Sequence, residues 1–310
     1  MKYTRYRKKN DFDKFFQIPY SEHNFDQGYE AQGFQWYKWA GTDSYKAFQT
    51  NLDKLQYWID NPFAYRVNKQ GFRTNIDFDK HKGEVSIALG CSNTFGVGMP
   101  EEWIWPTLMA EHIGHPIVNL GIGGAGVDHA YLALHYVIDK LDIKNVFHFH
   151  QVFGRRLRVD YESKNNKKLA VLSFQDHNHR VYEDTYWKSV MVDEGMIDFE
   201  HKRAIDAIAG MCYGRGIRYY NFNSPPYNKY FVRDNYDINE VSKSKLIKVN
   251  EIRQGDICAR DLIHPSMYHH RDIAQRFIDH LDHDSYVEAF SRLGLDYNVN
   301  QMLDTEKRIV

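Results

Sequence analysis

EVSIALGCSNTFG, residues 84–96, is an apolar run that stops abruptly at Gly90, Cys91 and Ser92. Val85, Ile87 and Leu89 are the branched, apolar residues that fill a strand buried on both faces, and Gly90 is where such a strand turns sharply. A serine is therefore expected at the carboxyl end of a core strand. In open α/β sheets that edge binds ligands, because the loops there open away from the packed helices and helix N-termini point free N–H groups into the crevice.

Downstream, the strand and helix pattern repeats. Residues 101–113 read as a helix with Trp103, Ile104, Thr107, Leu108 and Ile113 inward, Pro106 in its first turn and Gly114 as its stop. HPIVNLG, residues 115–121, is a second short strand ending in glycine, and the turn GIGGAG leads into a helix carrying Ala130, Leu132, Leu134, Val137, Ile138 and Leu141. NVFHFH, residues 145–150, is a third strand. Residues 155–196 break the rhythm and read as an insertion with one strand at 169–174, of the kind that shapes a binding site. The pattern resumes with a helix over 198–213, a turn at 214–216, a fourth strand over 217–222 and a polar stretch to residue 256. Repeats of this length predict parallel strands with right-handed crossovers, a three-layer α/β/α sandwich over residues 84–282 followed by a tail at 283–310.

Residues 1–83 form an aromatic-rich N-terminal extension expected to pack on that core. The chain carries 22 Tyr, 19 Phe and 6 Trp, 15% aromatic in all, much of it before residue 75. From Ser44 the apolar positions Tyr45, Phe48, Leu52, Leu55 and Ile59 recur at three- and four-residue intervals, which predicts one amphipathic helix capped by Asp43 or Ser44. Tyr65 and Val67, the turn-prone residues 68–71 and Phe72 predict a strand, a turn and a second short strand, with 76–83 as linker. The aromatic rings read as packing material, with a sugar-stacking surface as the functional alternative.

Lys plus Arg number 40 against 41 Asp plus Glu, a net charge of −1, so no global field recruits nucleic acid or an anionic membrane. The basic run MKYTRYRKKN, residues 1–10, reads as a solvated tail. Cys91, Cys212 and Cys258 show neither paired nor secreted-scaffold spacing, which fits a reducing compartment and gives no zinc signature. With no signal-like or membrane-spanning apolar run, the chain is expected to be cytoplasmic at synthesis, with delivery in a virion or exported assembly left open.

The chemistry converges on ARDLIHPSMYHHRDIAQRFIDHL, residues 259–281. Asp261 and His264 stand three apart ahead of a helix with Ile273, Phe277, Ile278 and Leu281 inward, while His269 and His270 read as surface residues. A serine is a poor nucleophile at neutral pH and needs a base. That base needs a carboxylate to hold its tautomer. In this order GCSNTFG, NLGIGG and DLIH resemble blocks I, II and V of the SGNH hydrolase superfamily, the GDSL-type esterases and lipases with a flavodoxin-like fold. The resemblance implies Ser92 as nucleophile, His264 as base and acid, Asp261 as its orienter, and the N–H groups of Ser92 and Gly124 as oxyanion-hole donors.

It departs at two places. Cys91 stands where the family has aspartate, and HQVFGRR stands where block III has Gly-x-Asn-Asp, leaving Gln151 or Arg155 as the third oxyanion donor. The Tyr-x-x-Asn-x-x-Gly-Phe-Arg element from Tyr65 to Arg73 is similar to one in SGNH-like proteins of bacteria and phages. His150, close to the end of the third strand, is a candidate pocket residue.

Two other chemistries are weaker. GIGGAG matches a dinucleotide-binding spacing, but the next strand ends in His148-Phe149-His150 rather than in an acidic residue. His148 and His150 share a strand face, and with His115, His177 or His179 would be a metal set, but the pair lacks a Cys or carboxylate partner and reads as packed. The expectation is thus a serine esterase with no cofactor and no metal, hydrolysing O-acyl, foremost O-acetyl, esters of a small molecule or glycan. The alternatives are a degenerate domain of the same fold that binds carbohydrate or serves structurally, for instance in a phage particle, and an O-acyltransferase using the same residues.

Overall fold

The computed structural model describes residues 43–150, 155–160, 168–173, 194–222 and 257–292, together with an antiparallel pair of two-residue strands at Phe25–Asp26 (β1) and Trp36–Tyr37 (β2). The remaining strands are β3 (Glu84–Leu89), β4 (Ile117–Asn119), β5 (Asp142–Phe149), β6 (Arg155–Asp160), β7 (Lys168–Ser173) and β8 (Arg218–Phe222). The helices are α1 (Tyr45–Thr50), α2 (Gln56–Asp60), α3 (Ser92–Phe95), α4 (Trp105–Ile113), α5 (Val127–Val137), α6 (Glu194–Tyr213) and α7 (Met267–Arg292). The basic run at 1–10 and the polar stretch at 223–256 lie outside the described residues.

Four strands form one all-parallel sheet in the order β4-β3-β5-β8. The chain leaves β3 for β4 on one side and then crosses to β5 on the other. The winding therefore reverses beside β3, and the carboxyl ends of β3 and β5 are the place where sheets of this kind bind ligands. Ser92 lies three residues past the end of β3.

Side-chain alternation sends the two faces of the sheet into two cores. Val85, Ile87, Leu89 and Val146 pack with Ala130, Leu134 and Val137 of α5 and with Ala204, Ile208 and Cys212 of α6. Ala88, Phe147, Phe149 and Tyr220 face the other way, against Trp105 and Met109 of α4 and Ile273, Ala274 and Phe277 of α7. Trp105 and Phe147 each meet Phe277, with ring centroids 5.0 and 5.3 Å apart. Helices on both faces of a parallel sheet are the expected α/β layering. No helix among the described residues is long and apolar enough to cross a membrane.

Residues 43–83 pack on this core, but not as the sequence reading has them. Ser44 does cap α1, its hydroxyl accepting from Ala47 N–H at 3.3 Å. The single helix expected from Ser44 instead breaks at Asn51 into α1, a 3-10 turn at Leu52–Lys54 and α2. Asn51 explains the break: its side chain donates to Ala47 O at 2.8 Å while its N–H turns to Phe48 O, so a side chain replaces the helical backbone bond. The break also changes the inward set. Trp58 is buried with Phe48 and Leu55, whereas Leu52 and Ile59 are exposed.

Residues 65–72 form no strand pair. Asn68 closes a bend instead: its N–H donates to Phe72 O at 2.8 Å, and its side-chain oxygen accepts from Phe72 N–H at 2.9 Å. The stretch expected as linker buries Ile76 and Phe78.

Three further differences concern the later half. The strand expected at 169–174 is β7, and it pairs antiparallel with β6, which the sequence reading left unassigned although Leu157 and Val159 alternate with charged residues there. Helix α7 runs to Arg292, past the expected boundary at 282. His270 is fully buried rather than on the surface, because it falls on the inward stripe of α7 with Ile273, Ala274 and Phe277. Its Nδ1 accepts from Trp105 N–H at 3.3 Å.

Burial has an acid-base consequence. Desolvation lowers the pKa of His129 from 6.5 to about 4 and those of His201 and His270 from 6.5 to about 3, with neighbouring positive charge adding to the last two. The unfolded chain takes up these protons near pH 6.5 and the folded chain does not, so their stabilisation is complete above about pH 6.5 and is lost as pH falls towards 3–4. Each group adds a slope of about 1.4 kcal/mol per pH unit in that window. Between pH 6.5 and 5, ahead of most carboxylate titration, the urea midpoint should fall steeply, and His270→Gln should flatten the fall; an unchanged slope in that variant would refute the assignment.

Candidate functional site

Gly90 lets the chain turn at the end of β3. A Cβ there would stand 1.9 Å from Thr94 Oγ1 and 2.8 Å from Phe149 O, so only glycine fits between the serine helix and the end of β5. Cys91 then caps α3, a single turn that begins at Ser92. The Ser92 hydroxyl is buried and donates to Cys91 Sγ at 3.9 Å.

The loop after β4 lies alongside this turn. Leu120 and Ile122 N–H donate to Ala88 O and Gly90 O at 2.9 and 3.2 Å, extending the β3–β4 pairing past the strand ends. Asn119 ties the two loops together: its Nδ2 donates to Thr94 O at 2.8 Å and its Oδ1 accepts from Gly121 N–H at 2.9 Å. Gly124 follows with φ +75°, and the space where its Cβ would stand is open. Neither Ser92 N–H nor Gly124 N–H has a protein acceptor among the described residues. The main-chain donors expected of an oxyanion hole are therefore uncommitted.

Asp261 and His264 form a closed unit. His264 Nδ1 lies 2.5 Å from Asp261 Oδ2, and Asp261 Oδ1 accepts the N–H groups of Ile263 and His264 at 3.1 Å each. An ionised carboxylate only accepts, so Nδ1 carries the proton of this bond, which leaves Nε2 as the acceptor in the neutral imidazole. Burial alone would raise the Asp261 pKa. The His264 hydrogen bond and charge, with the two backbone N–H groups, outweigh it and hold the carboxyl below its usual value. Leu262, between the two, has φ 58°, the one positive value outside glycine among the described residues. A branched side chain in that region costs about 1–2 kcal/mol, and strain of this kind collects at functional sites.

The two halves meet through the main chain. Ser92 O accepts from Gly96 and Val97 N–H at 2.8 and 3.1 Å, and Gly98 O accepts from Arg260 N–H at 2.8 Å. The segment leaving the serine helix thus binds the segment entering Asp261. No hydrogen bond joins Ser92 to His264 among the described residues.

Of the other candidates, Gln151 lies outside the described residues, as do His177 and His179. Arg155 opens β6, and its side chain is not described. His150 is buried, its ring 4.6 Å from that of His148 and 5.9 Å from that of His201. His148 Nδ1 pairs with Tyr219 OH at 2.7 Å, and His115 Nε2 with Ser86 Oγ at 2.8 Å. Among the described residues no three His, Cys, Asp or Glu side chains form a metal-binding group.

Sequence reasoning missed four buried residues bracing this site. Arg73 donates from Nη1 to Phe95 O and Gly96 O at 2.8 and 2.7 Å, and from Nη2 to Met99 O at 2.8 Å. Arg260 grips Asp43 with Nε at 2.9 Å and Nη2 at 2.7 Å. Tyr65 OH donates to Asp43 Oδ2 and accepts from Gly98 N–H at 2.7 Å. The spacing from Tyr65 to Arg73, quoted above as a motif, marked two of them, and Asp43 was singled out only as a candidate helix cap.

Asn119→Ala should cost about 2–4 kcal/mol, since it leaves Thr94 O and Gly121 N–H buried without partners. Urea denaturation of the variant tests this, and a loss under 1 kcal/mol would mean the loops hold their places without the bridge. In comparisons with known proteins, no family model matches the chain and no curated protein matches it.

Proposed function

We propose that the protein is a serine esterase of the SGNH type that hydrolyses O-acyl esters, foremost O-acetyl groups on a carbohydrate. The observation that supports this reading most directly is the Asp261–His264 unit, bound through Gly98 and Arg260 to the turn that carries Ser92. His264 Nε2 takes the Ser92 proton as Oγ attacks the acyl carbon, and Asp261 stabilises the imidazolium that forms. The N–H groups of Ser92 and Gly124 hold the oxyanion, which lowers the barrier because fixed dipoles need no reorganisation. His264 then returns the proton to the departing alcohol, and water, activated by the same imidazole, releases the acid from acyl-Ser92.

One observation favours a second reading, a domain of the same fold that binds glycan without cleaving it. The Ser92 hydroxyl points to Cys91 Sγ, and no hydrogen bond joins it to His264 among the described residues.

Fluorophosphonate labelling and p-nitrophenyl acetate turnover separate the two. The esterase reading expects labelled wild type, no labelling of Ser92→Ala, and turnover reduced about 10³–10⁶-fold in His264→Ala and about 10⁴-fold in Asp261→Asn. A folded wild type that neither labels nor turns over, yet changes its tryptophan fluorescence with glycan, would establish the binding module instead.

A further inference from the structure

We infer that Asp43, Tyr65 and Arg260 are positioning residues that, with Gly98 between them, set the place of Asp261 and His264 relative to Ser92. The inference rests on the esterase reading for its kinetic consequences and on geometry alone for its existence. Every side-chain polar atom of these three residues has a directed partner. Arg260 grips Asp43 with two nitrogens and donates from Nη1 to Phe63 O at 3.2 Å. Asp43 Oδ2 also accepts from Tyr65 OH, whose oxygen in turn accepts Gly98 N–H. The other face of the Gly98 residue, its carbonyl, accepts Arg260 N–H. Gly98 is thus held on one side by the Tyr65 hydroxyl, itself bonded to Asp43, and on the other by the backbone N–H of Arg260, whose side chain pairs with the same carboxylate.

What Gly98 touches gives the clamp its purpose. With φ +77°, a Cβ there would lie 3.0 Å from Ala259 Cβ and Arg260 N and 3.2 Å from Asp261 Oδ1. The Asp261 carboxylate therefore lies beside Gly98, six residues beyond Ser92, with too little room between them for a side chain. Moving Gly98 moves the carboxylate that orients the base. Arg73 secures the same loop from its carbonyl side at Phe95, Gly96 and Met99. Asp43, Tyr65 and Arg73 all come from the chain ahead of β3, so a segment outside the α/β core completes the site.

Tyr65→Phe removes one oxygen and keeps the ring, which makes it the sharpest test. Its readouts are the fluorophosphonate labelling rate, kcat and KM for p-nitrophenyl acetate, the melting temperature, and the low-field proton resonance of His264 Nδ1–H, assigned by its loss in His264→Ala. Ile208→Ala, in the α6 core, serves as the control for destabilisation alone. A positioning role predicts a labelling rate and kcat at least 10-fold lower with KM little changed, a displaced Nδ1–H resonance, and unchanged labelling in the Ile208 control. Tyr65→Phe should add nothing in an Asp261→Asn background, where there is no oriented base left to misplace. Independent multiplying losses, or a folded Tyr65→Phe with wild-type labelling and resonance, would overturn the inference. If Tyr65→Phe does not fold, Asp43→Asn, which keeps the shape of the carboxylate, takes its place with the same outcomes. If wild type does not label, the esterase reading fails by itself, and the Nδ1–H resonance still decides the clamp: displaced in the variant, it stands; unmoved, it falls.

Discussion

A carboxylate and a guanidinium are buried together at Asp43 and Arg260, with side-chain exposures of 1% and 0%, across 217 residues of sequence. Taking both charges out of water costs several kcal/mol per ion, and mutual attraction offsets this only where the remaining lone pairs and protons are satisfied. Here they are. Tyr65 OH fills the carboxylate, Phe63 O takes a guanidinium proton, and the guanidinium carbon lies 4.1 Å from the centre of the Phe63 ring. Removing one partner of such a pair costs about 3–5 kcal/mol, because the other is left buried and uncompensated. The pair therefore fixes residues 43–73 against the segment carrying Asp261, and the site inherits that rigidity.

The parallel sheet was legible because its signals are local. Val85, Ile87 and Leu89 point to one core and Gly90 ends the strand within six residues, so a short window holds the whole argument. Asp261 and His264 were legible for the same reason, being three apart on one turn of chain. The sheet order was accessible only as a class. Which strand neighbours which depends on crossovers whose handedness is general but whose destinations are set by packing.

What stayed hidden depends on partners far away in sequence or on competition that periodicity ignores. The apolar spacing after Ser44 is helical, but Asn51 places a side-chain donor on Ala47 O and ends the helix there. His270 stands in a run of polar residues, and only the register of α7 against Phe147 and Trp105 turns it inward. Tyr65, Asn68 and Arg73 look like an alternating strand and turn until the partners appear: Gly98 N–H, Ile76 O and the carbonyls at the end of α3. Each of these polar groups makes a bond to backbone that no alternation rule represents.

Under the proposed reading, the two halves of the site differ in how firmly they are set. Asp261 and His264 are held by a charge-assisted bond and two backbone N–H groups, the stronger class of hydrogen bond. The Ser92 hydroxyl is held by a cysteine sulfur at 3.9 Å, one of the weakest acceptors a side chain offers. Catalytic hydrogen bonds are often long or poorly aligned in a free enzyme and tighten when substrate arrives. A hydroxyl on a weak acceptor gives that bond up at little cost. If Ser92 is the proposed nucleophile, the weak bond to Cys91 is therefore no barrier to its use, and the firmer half of the site is the one that holds the base.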